Sequence, residues 1–203
     1  MTDSCWAIVP LKCFALSKTR LAPLLSAGER QQLARDMFAN VLRSLCASSR
    51  IDRVLVLSPE RLELPDAVER MVDNGRDLNW ELNDALSCAR SRGVTSLLVL
   101  HADLPLLQAT EVDTLVECGR QAGLALAPDR CGRGTNALLL ASDLPWTCQF
   151  GADSLARHRQ QALSLGLEPA FVRLPGLAFD VDTPADWQDL QIQSQKAINA
   201  HAV

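Results

Sequence analysis

Three observations predict an α/β fold, a parallel sheet covered by helices on both faces. Short continuous apolar runs recur along the chain, amphipathic segments separate them, and turn residues mark the joins. Strand and helix patterns alternate from Cys5 to about Gln121, the order expected of parallel strands joined by crossover helices. The length of 203 residues favours one domain, 1–203, and no linker, repeat or low-complexity tract divides it.

The elements follow in order. Cys5–Leu11 is apolar throughout, as a strand buried on both faces requires. Lys12 to Leu25 is a long polar and basic connection. Ser26 with Glu29 has capping-box spacing, and Leu33, Met37, Val41 and Leu45 recur at helical spacing towards Cys46. Arg53–Ser58 is a second strand, closed by Pro59, while Glu60–Leu78 carries no readable pattern. Asn79–Arg92 is helical up to Gly93, and Ser96–Leu100 is a third strand. Thr110 with Asp113 opens a helix that ends near Gly123. Leu124–Ala127 and Ala137–Ala141 are strands around the loop Pro128–Asn136. Asp153–Leu165 is a helix stopped by Gly166, and Ala170–Leu174 is a strand. Thr183, Pro184 and Asp186 supply an N-cap, a proline at the first helical position and an acid at the third, which opens the last helix.

Composition narrows the function. Twenty basic against twenty-four acidic residues give a net charge of -4, which argues against nonspecific nucleic-acid binding but leaves room for a local anion site. The seven cysteines form no CxxC pair and read as small buried hydrophobes in a reducing cytosol. No basic leader and no membrane-length apolar run is visible, so a cytoplasmic protein without membrane partners is expected. Neither GxGxxG, GxxxxGKS nor GxSxG occurs, so Rossmann dinucleotide binding, a P-loop and serine hydrolysis lack support. His101, His158 and His201 form no recognisable set.

In sheets of this kind ligands bind beyond the carboxyl ends of the strands. After the first strand stand Lys12, Lys18 and Arg20, with no acid before Glu29, an arrangement suited to a triphosphate or to a solvated loop. After the third strand comes Asp103, readable as a metal ligand or as a turn residue before Pro105. In Phe179-Asp180-Val181-Asp182 the two acids share one face of extended chain, where a cation would relieve their repulsion; Asp182 could instead cap the last helix. Gly132 and Gly134, alternating with arginine before Thr135, could offer backbone N–H groups to an anion. Gly151 and Ser154, at the start of a helix, form a second such candidate, with Asp153 as an unfavourable neighbour.

Taken together, Ile8 to Lys12, Ser17 to Pro23, Ala102 to Leu106, Ala127 to Arg130, Gly134 to Leu138, Phe150-Gly151 with Ser154, and Leu177 to Pro184 resemble the guanylyltransferases of coenzyme F-420 biosynthesis. The resemblance covers nearly the whole chain. It implies a nucleotide-diphospho-sugar-transferase-like (Rossmann-like) fold related to the molybdenum-cofactor guanylyltransferases, with a mixed, mostly parallel sheet between helices. It implies transfer from GTP to 2-phospholactate, phosphoenolpyruvate or 3-phosphoglycerate with release of pyrophosphate. Carried over by position, Thr135, Gly151 and Ser154 bind the acid, and Asp103, Asp180 and Asp182 hold Mg2+. On charge grounds Lys12, Lys18 and Arg20 are expected to contact the triphosphate, with Lys18 also in the catalytic set and Asn83 expected to reach the nucleotide. Relatives suggest a homodimer. Cys13-Phe14-Ala15-Leu16 departs from the glycine-rich loop of the molybdenum-type enzymes. The alternatives are a nucleotidyltransferase for another acceptor, such as a molybdopterin or a sugar phosphate, and a non-catalytic GTP-binding module.

Overall fold

A computed structural model describes the backbone of residues 4–201 and the side chains of residues 4–196. Seven strands form one sheet in the order β3-β2-β1-β4-β6-β5-β7. They are β1 (Cys5–Pro10), β2 (Arg53–Ser58), β3 (Val68–Val72), β4 (Ser96–Leu100), β5 (Leu124–Pro128), β6 (Thr135–Ala141) and β7 (Ala170–Phe171). β6 alone runs against its neighbours β4 and β5; every other pairing is parallel. The sheet is therefore mixed and mostly parallel.

Strand alternation sends side chains to two cores. Ala7, Val9, Val54, Val56, Leu98 and Leu100 join one, under α1 (Ala27–Ala47) and α3 (Ala109–Ala122). Ile8, Leu55, Leu57, Leu97 and Val99 join the other, under α2 (Leu78–Ser91) and α4 (Ser154–Ser164). Both faces are covered, so the strands read as unbroken apolar runs. Each leucine withdrawn from water contributes about 1.5–3 kcal/mol. A small third cluster of Leu21, Leu33, Met37, Phe179, Val181 and Leu190 ties α1 to α6 (Pro184–His201).

The Ser26–Glu29 capping box forms as expected, and Gly123 ends α3 in the left-handed region. Other expectations need correction. α3 is capped by Gln108 with Glu111, whereas Asp113 accepts hydrogen bonds from Ser48 and Ser49 at the end of α1. The unread stretch Glu60–Leu78 contains β3, an edge strand whose charged Glu69 and Arg70 break the apolar pattern. The strand expected over Ala170–Leu174 shrinks to two residues and is followed by a helical turn, α5 (Pro175–Ala178). The connection Lys12–Leu25 winds into two 3-10 turns, Phe14–Leu16 and Thr19–Leu21. Only Cys5 and Cys148 are buried; Cys46 and Cys131 are exposed, so the cysteines are not uniformly core residues.

Candidate active site

The parallel strands end at one edge of the sheet, and the reversed β6 begins there. β1 delivers Lys12, β4 delivers His101 and Asp103, and β5 delivers Asp129. β6 presents Thr135 and Asn136 at its start, with the Asn136 carbonyl accepting from the His101 N–H at 2.9 Å. One antiparallel strand thus adds its first residues to an edge otherwise built from carboxyl ends.

Two cavities open on this edge. One, of about 320 Å³, is lined by Pro10, Leu11, Lys12, Lys18, Met37 and Asp73 among others. The second, of about 470 Å³, is lined by Arg20, Thr135, Asn136, Gly151, Ser154 and Asp180 among others. His101, Asp103 and Asp182 line both, so they form the wall between the cavities.

That wall is a charge cluster. Lys18 Nζ lies 2.6 Å from Asp103 Oδ2 and 2.8 Å from Asp182 Oδ1. Lys18 reaches it from a left-handed backbone (φ 55°), a conformation a side chain adopts only when its surroundings compel it. Arg20 approaches the outer oxygen of Asp182 at 3.9 Å. Burial opposes the charge of Lys18, but the attraction of Asp103 and Asp182 outweighs it and raises its pKa. Burial likewise opposes the charge of Asp103, yet Lys18 and His101 hold its carboxyl below the usual range. Asp180 goes the other way. Burial, then the negative charge of Asp103, pushes it up, although Asn136 Nδ2 donates to it at 3.4 Å.

The Phe179–Asp182 segment is irregular rather than a strand, but its alternation survives. Phe179 and Val181 are core residues, which turns Asp180 and Asp182 to the cleft. The capping alternative for Asp182 fails, because Asp186 accepts from the Thr183 N–H at 2.7 Å and the Asp182 N–H at 3.0 Å. Arg130 then bonds Asp186 and Asp189 across the face of Phe179, tying the β5–β6 loop to the acid-bearing segment.

Three acids around one cation were expected, and the cation found between Asp103 and Asp182 is the Lys18 ammonium. Among the described residues, no three His, Cys, Asp or Glu groups stand as a ready metal cluster. A magnesium ion still fits this wall. Asp103 Oδ1 is buried without a hydrogen-bond partner, and Asp180 lies near enough to feel its charge. Two hard carboxylates completed by substrate phosphates are a common magnesium environment.

The glycine loop differs from expectation. Asp129 occupies it: its carboxylate accepts from the Arg133 and Gly134 N–H groups, both at 2.9 Å, and its carbonyl accepts from Gly132 at 3.0 Å. No backbone donor of those three is left for an anion. A Cβ on Gly134 would stand 2.7 Å from Asp129 Oδ2, so a larger residue there would push the carboxylate off its loop donors. At the start of α4 the Ser154 N–H bonds Gly151 and the Leu155 N–H bonds Arg133. What faces the cavity is side-chain hydroxyl: Ser154 Oγ lies 3.2 Å from Thr135 Oγ1.

Arg20 lines the second cavity rather than the one holding Lys12 and Lys18. Asn83 lines neither. It accepts from the Cys148 N–H at 2.9 Å, while Asn79, one turn earlier, brackets the backbone of Phe150. Both amides support the segment leading to Gly151. His101 and His158 share no hydrogen bond among those described, but both pack against the Phe150 ring. His201 lies outside the described side chains. Asn136, Asp129 and Arg130 sat inside quoted motifs, but their work depends on partners distant in sequence.

Fold and site together are a mixed α/β sheet with two adjoining cavities and an acid–lysine wall between them. Solved structures agree on the fold. A protein from Desulfovibrio desulfuricans G20 assigned to the nucleotide-diphospho-sugar transferases superposes with TM-score 0.76 at 17% identity, over 93% of this chain and 86% of that one. A 4-diphosphocytidyl-2C-methyl-D-erythritol synthase gives 0.65 at 13% identity, over 94% and 98%. The family is shown by sequence. Residues 5–200 match the model described as Guanylyl transferase CofC like, and the chain belongs to that family. The phosphoenolpyruvate guanylyltransferase of Sphaerobacter thermophilus is 40% identical over 188 residues, 91% of each chain. The 3-phospho-D-glycerate guanylyltransferase of Phenylobacterium zucineum is 36% identical over 180 residues, 84% of this chain and 82% of its own.

Proposed function

We propose that the protein joins the guanylyl group of GTP to a small phosphorylated three-carbon acid, of the phosphoenolpyruvate or 3-phosphoglycerate type, and releases pyrophosphate. The step belongs to coenzyme F-420 biosynthesis in this reading, in the cytoplasm. The observation that carries it is the shared wall: Asp103 and Asp182, bridged from the first cavity by Lys18, separate a cavity edged by lysines from one edged by hydroxyls.

The attacking phosphate oxygen of the acid is already anionic, so no protein nucleophile or strong base is needed; alignment and charge neutralisation are. Lys12 and Lys18 bind the triphosphate, and Asp73 and Met37 line the rest of that cavity. Thr135, Ser154 and Gly151 hold the acid, with Arg20 over its anionic end. The two substrates then meet at the wall, with the attacking oxygen opposite the departing pyrophosphate. Lys18, held by Asp103 and Asp182, is positioned to neutralise charge that builds on the phosphates. Magnesium, held by Asp103 and Asp180 with Asp182 as the third candidate, would supply further charge neutralisation there. A homodimer is part of this proposal on the strength of the family resemblance.

The test is incubation with GTP, magnesium and each acid separately, reading pyrophosphate. Release with one of these acids and not with sugar phosphates supports the assignment. GTP binding without turnover for any acid would replace it with a binding module.

A further inference from the structure

His158 lies in the middle of α4, fully buried, and takes part in none of the steps above. Both ring nitrogens are engaged. The Gln149 backbone N–H donates to Nε2 at 3.1 Å, and Nδ1 stands 3.0 Å from Thr135 Oγ1. A backbone N–H can only donate, so Nε2 is an unprotonated acceptor. The proton of the neutral ring is therefore on Nδ1, and Nδ1–H donates to Thr135. Phe150, edge-on at 4.9 Å, and Trp146, at 5.7 Å, pack against the ring.

Counting hydrogens along this chain shows what it does. Nδ1–H, the Thr135 hydroxyl and the Ser154 hydroxyl make three hydrogens. They serve two internal links, His158 to Thr135 and Thr135 to Ser154. Among the described residues neither hydroxyl has another side-chain partner, so one hydroxyl hydrogen is left for the cavity these residues line. In the opposite tautomer Thr135 would donate to Nδ1 and Ser154 to Thr135, and no hydrogen would be left over.

We propose that His158 is a positioning residue: by donating Nδ1–H to Thr135 Oγ1 it anchors the Thr135–Ser154 pair and leaves one of the pair's hydroxyl hydrogens, held at the cavity, for the anionic oxygens of the acid substrate. This rests on the assignment of that cavity to the acid. Ionised carboxylate and phosphate oxygens only accept, so a site with one hydroxyl hydrogen to spare matches them. The device holds across neutral pH. Burial, then the charges of Arg157 on the same helix and of His101 after β4, lowers the His158 pKa to about 4. From β6 and the 146–150 segment it meets Thr135, Gln149, Phe150 and Trp146, none charged.

Two variants and one spectroscopic measurement test it. H158F keeps a ring and loses both bonds, while H158N keeps an N–H near the place of Nδ1. H158F leaves the pair its spare hydrogen but removes the anchor that aims it, so KM for the acid that the wild type uses should rise about tenfold, the scale of one misdirected hydrogen bond to a charged group. KM for GTP should stay within twofold, and H158N should recover most of the loss. Nitrogen-15 NMR of the free wild-type protein should give a protonated Nδ1 and a bare Nε2, unchanged from pH 8 to 5.5. An unchanged acid KM in H158F, or equal rises in both KM values, overturns the proposal, as does a protonated Nε2. If H158F does not fold, H158N and the NMR measurement decide. A wild type that turns over no acid refutes the functional assignment instead, and the NMR result still tests the tautomer.

Discussion

On the side of the cleft proposed for the nucleotide, Lys12 is exposed, and the loop that carries the cations is fastened by the buried Phe14 and Leu21, by two 3-10 turns and by Lys18. On the acceptor side the loop donors are already satisfied by Asp129, and Thr135, Asn136 and Ser154 are each less than 5% exposed. The first region is the more open one, and its cations owe part of their placement to charges that a triphosphate would rearrange. The second is fixed before any ligand arrives. A small acid offers few contacts, so its site gains most from groups already held in place. A triphosphate brings enough charge to order a looser loop.

The largest effect is expected where the halves meet. Asp180→Asn should lower kcat about a hundred- to a thousandfold, the scale of losing one charge-stabilising group in a transition state. The same change should raise the melting temperature. Folding raises the Asp180 pKa, so its ionised form costs stability above the folded pKa and nothing below the unfolded value near ~4. The variant should therefore be the more stable protein at pH 8, with the difference closing towards pH 4; pyrophosphate release and thermal melts at several pH values check both parts.

Lys18→Met should act on stability with the opposite sign. It leaves Asp103 and Asp182 facing each other, a loss of about 2–3 kcal/mol once the half-exposure of Asp182 is discounted. Folding lowers the Asp103 pKa, so the stability from the pair is present above the unfolded value and fades as pH falls through the folded one. Chemical denaturation from pH 8 down to about pH 2 should show the deficit held as far as pH ~4 and shrinking below it. A constant deficit would mean that Lys18 contributes packing rather than charge.

Ser154→Ala should sharpen the contrast between the halves, raising KM for the acid about tenfold while KM for GTP stays within twofold. Equal effects on both would erase the division. The smallest change is expected from the exposed cation: Lys12→Ala should raise KM for GTP about threefold at low salt and less at high salt, because an exposed charge is screened. Steady-state kinetics at two ionic strengths read both.

Much of the sheet was legible because β1, β2 and β4 are covered on both faces, and burial on both faces leaves an unbroken apolar signature. β3 was not, since an edge strand carrying Glu69 and Arg70 satisfies its backbone without such a run. In the site, Asp103, Asp180, Asp182, Thr135 and Ser154 could be nominated from motif and spacing, and all five line the second cavity. Asn83 misled because a polar residue on a helix looks the same whether it meets a ligand or, as here, the Cys148 backbone.

The sequence by itself determined local things: the strand cores, the caps at Ser26 and Thr183, and the alternation that turns two acids away from Phe179 and Val181. Each depends on neighbours a few residues apart, where backbone geometry fixes the outcome. Only the tertiary structure decided that Lys18 fills the space between Asp103 and Asp182, that Asp129 occupies the glycine loop, and that His158 orients Thr135. Those choices join residues 4 to 164 positions apart, and which donor meets which acceptor across such gaps is set by packing of the whole sheet edge.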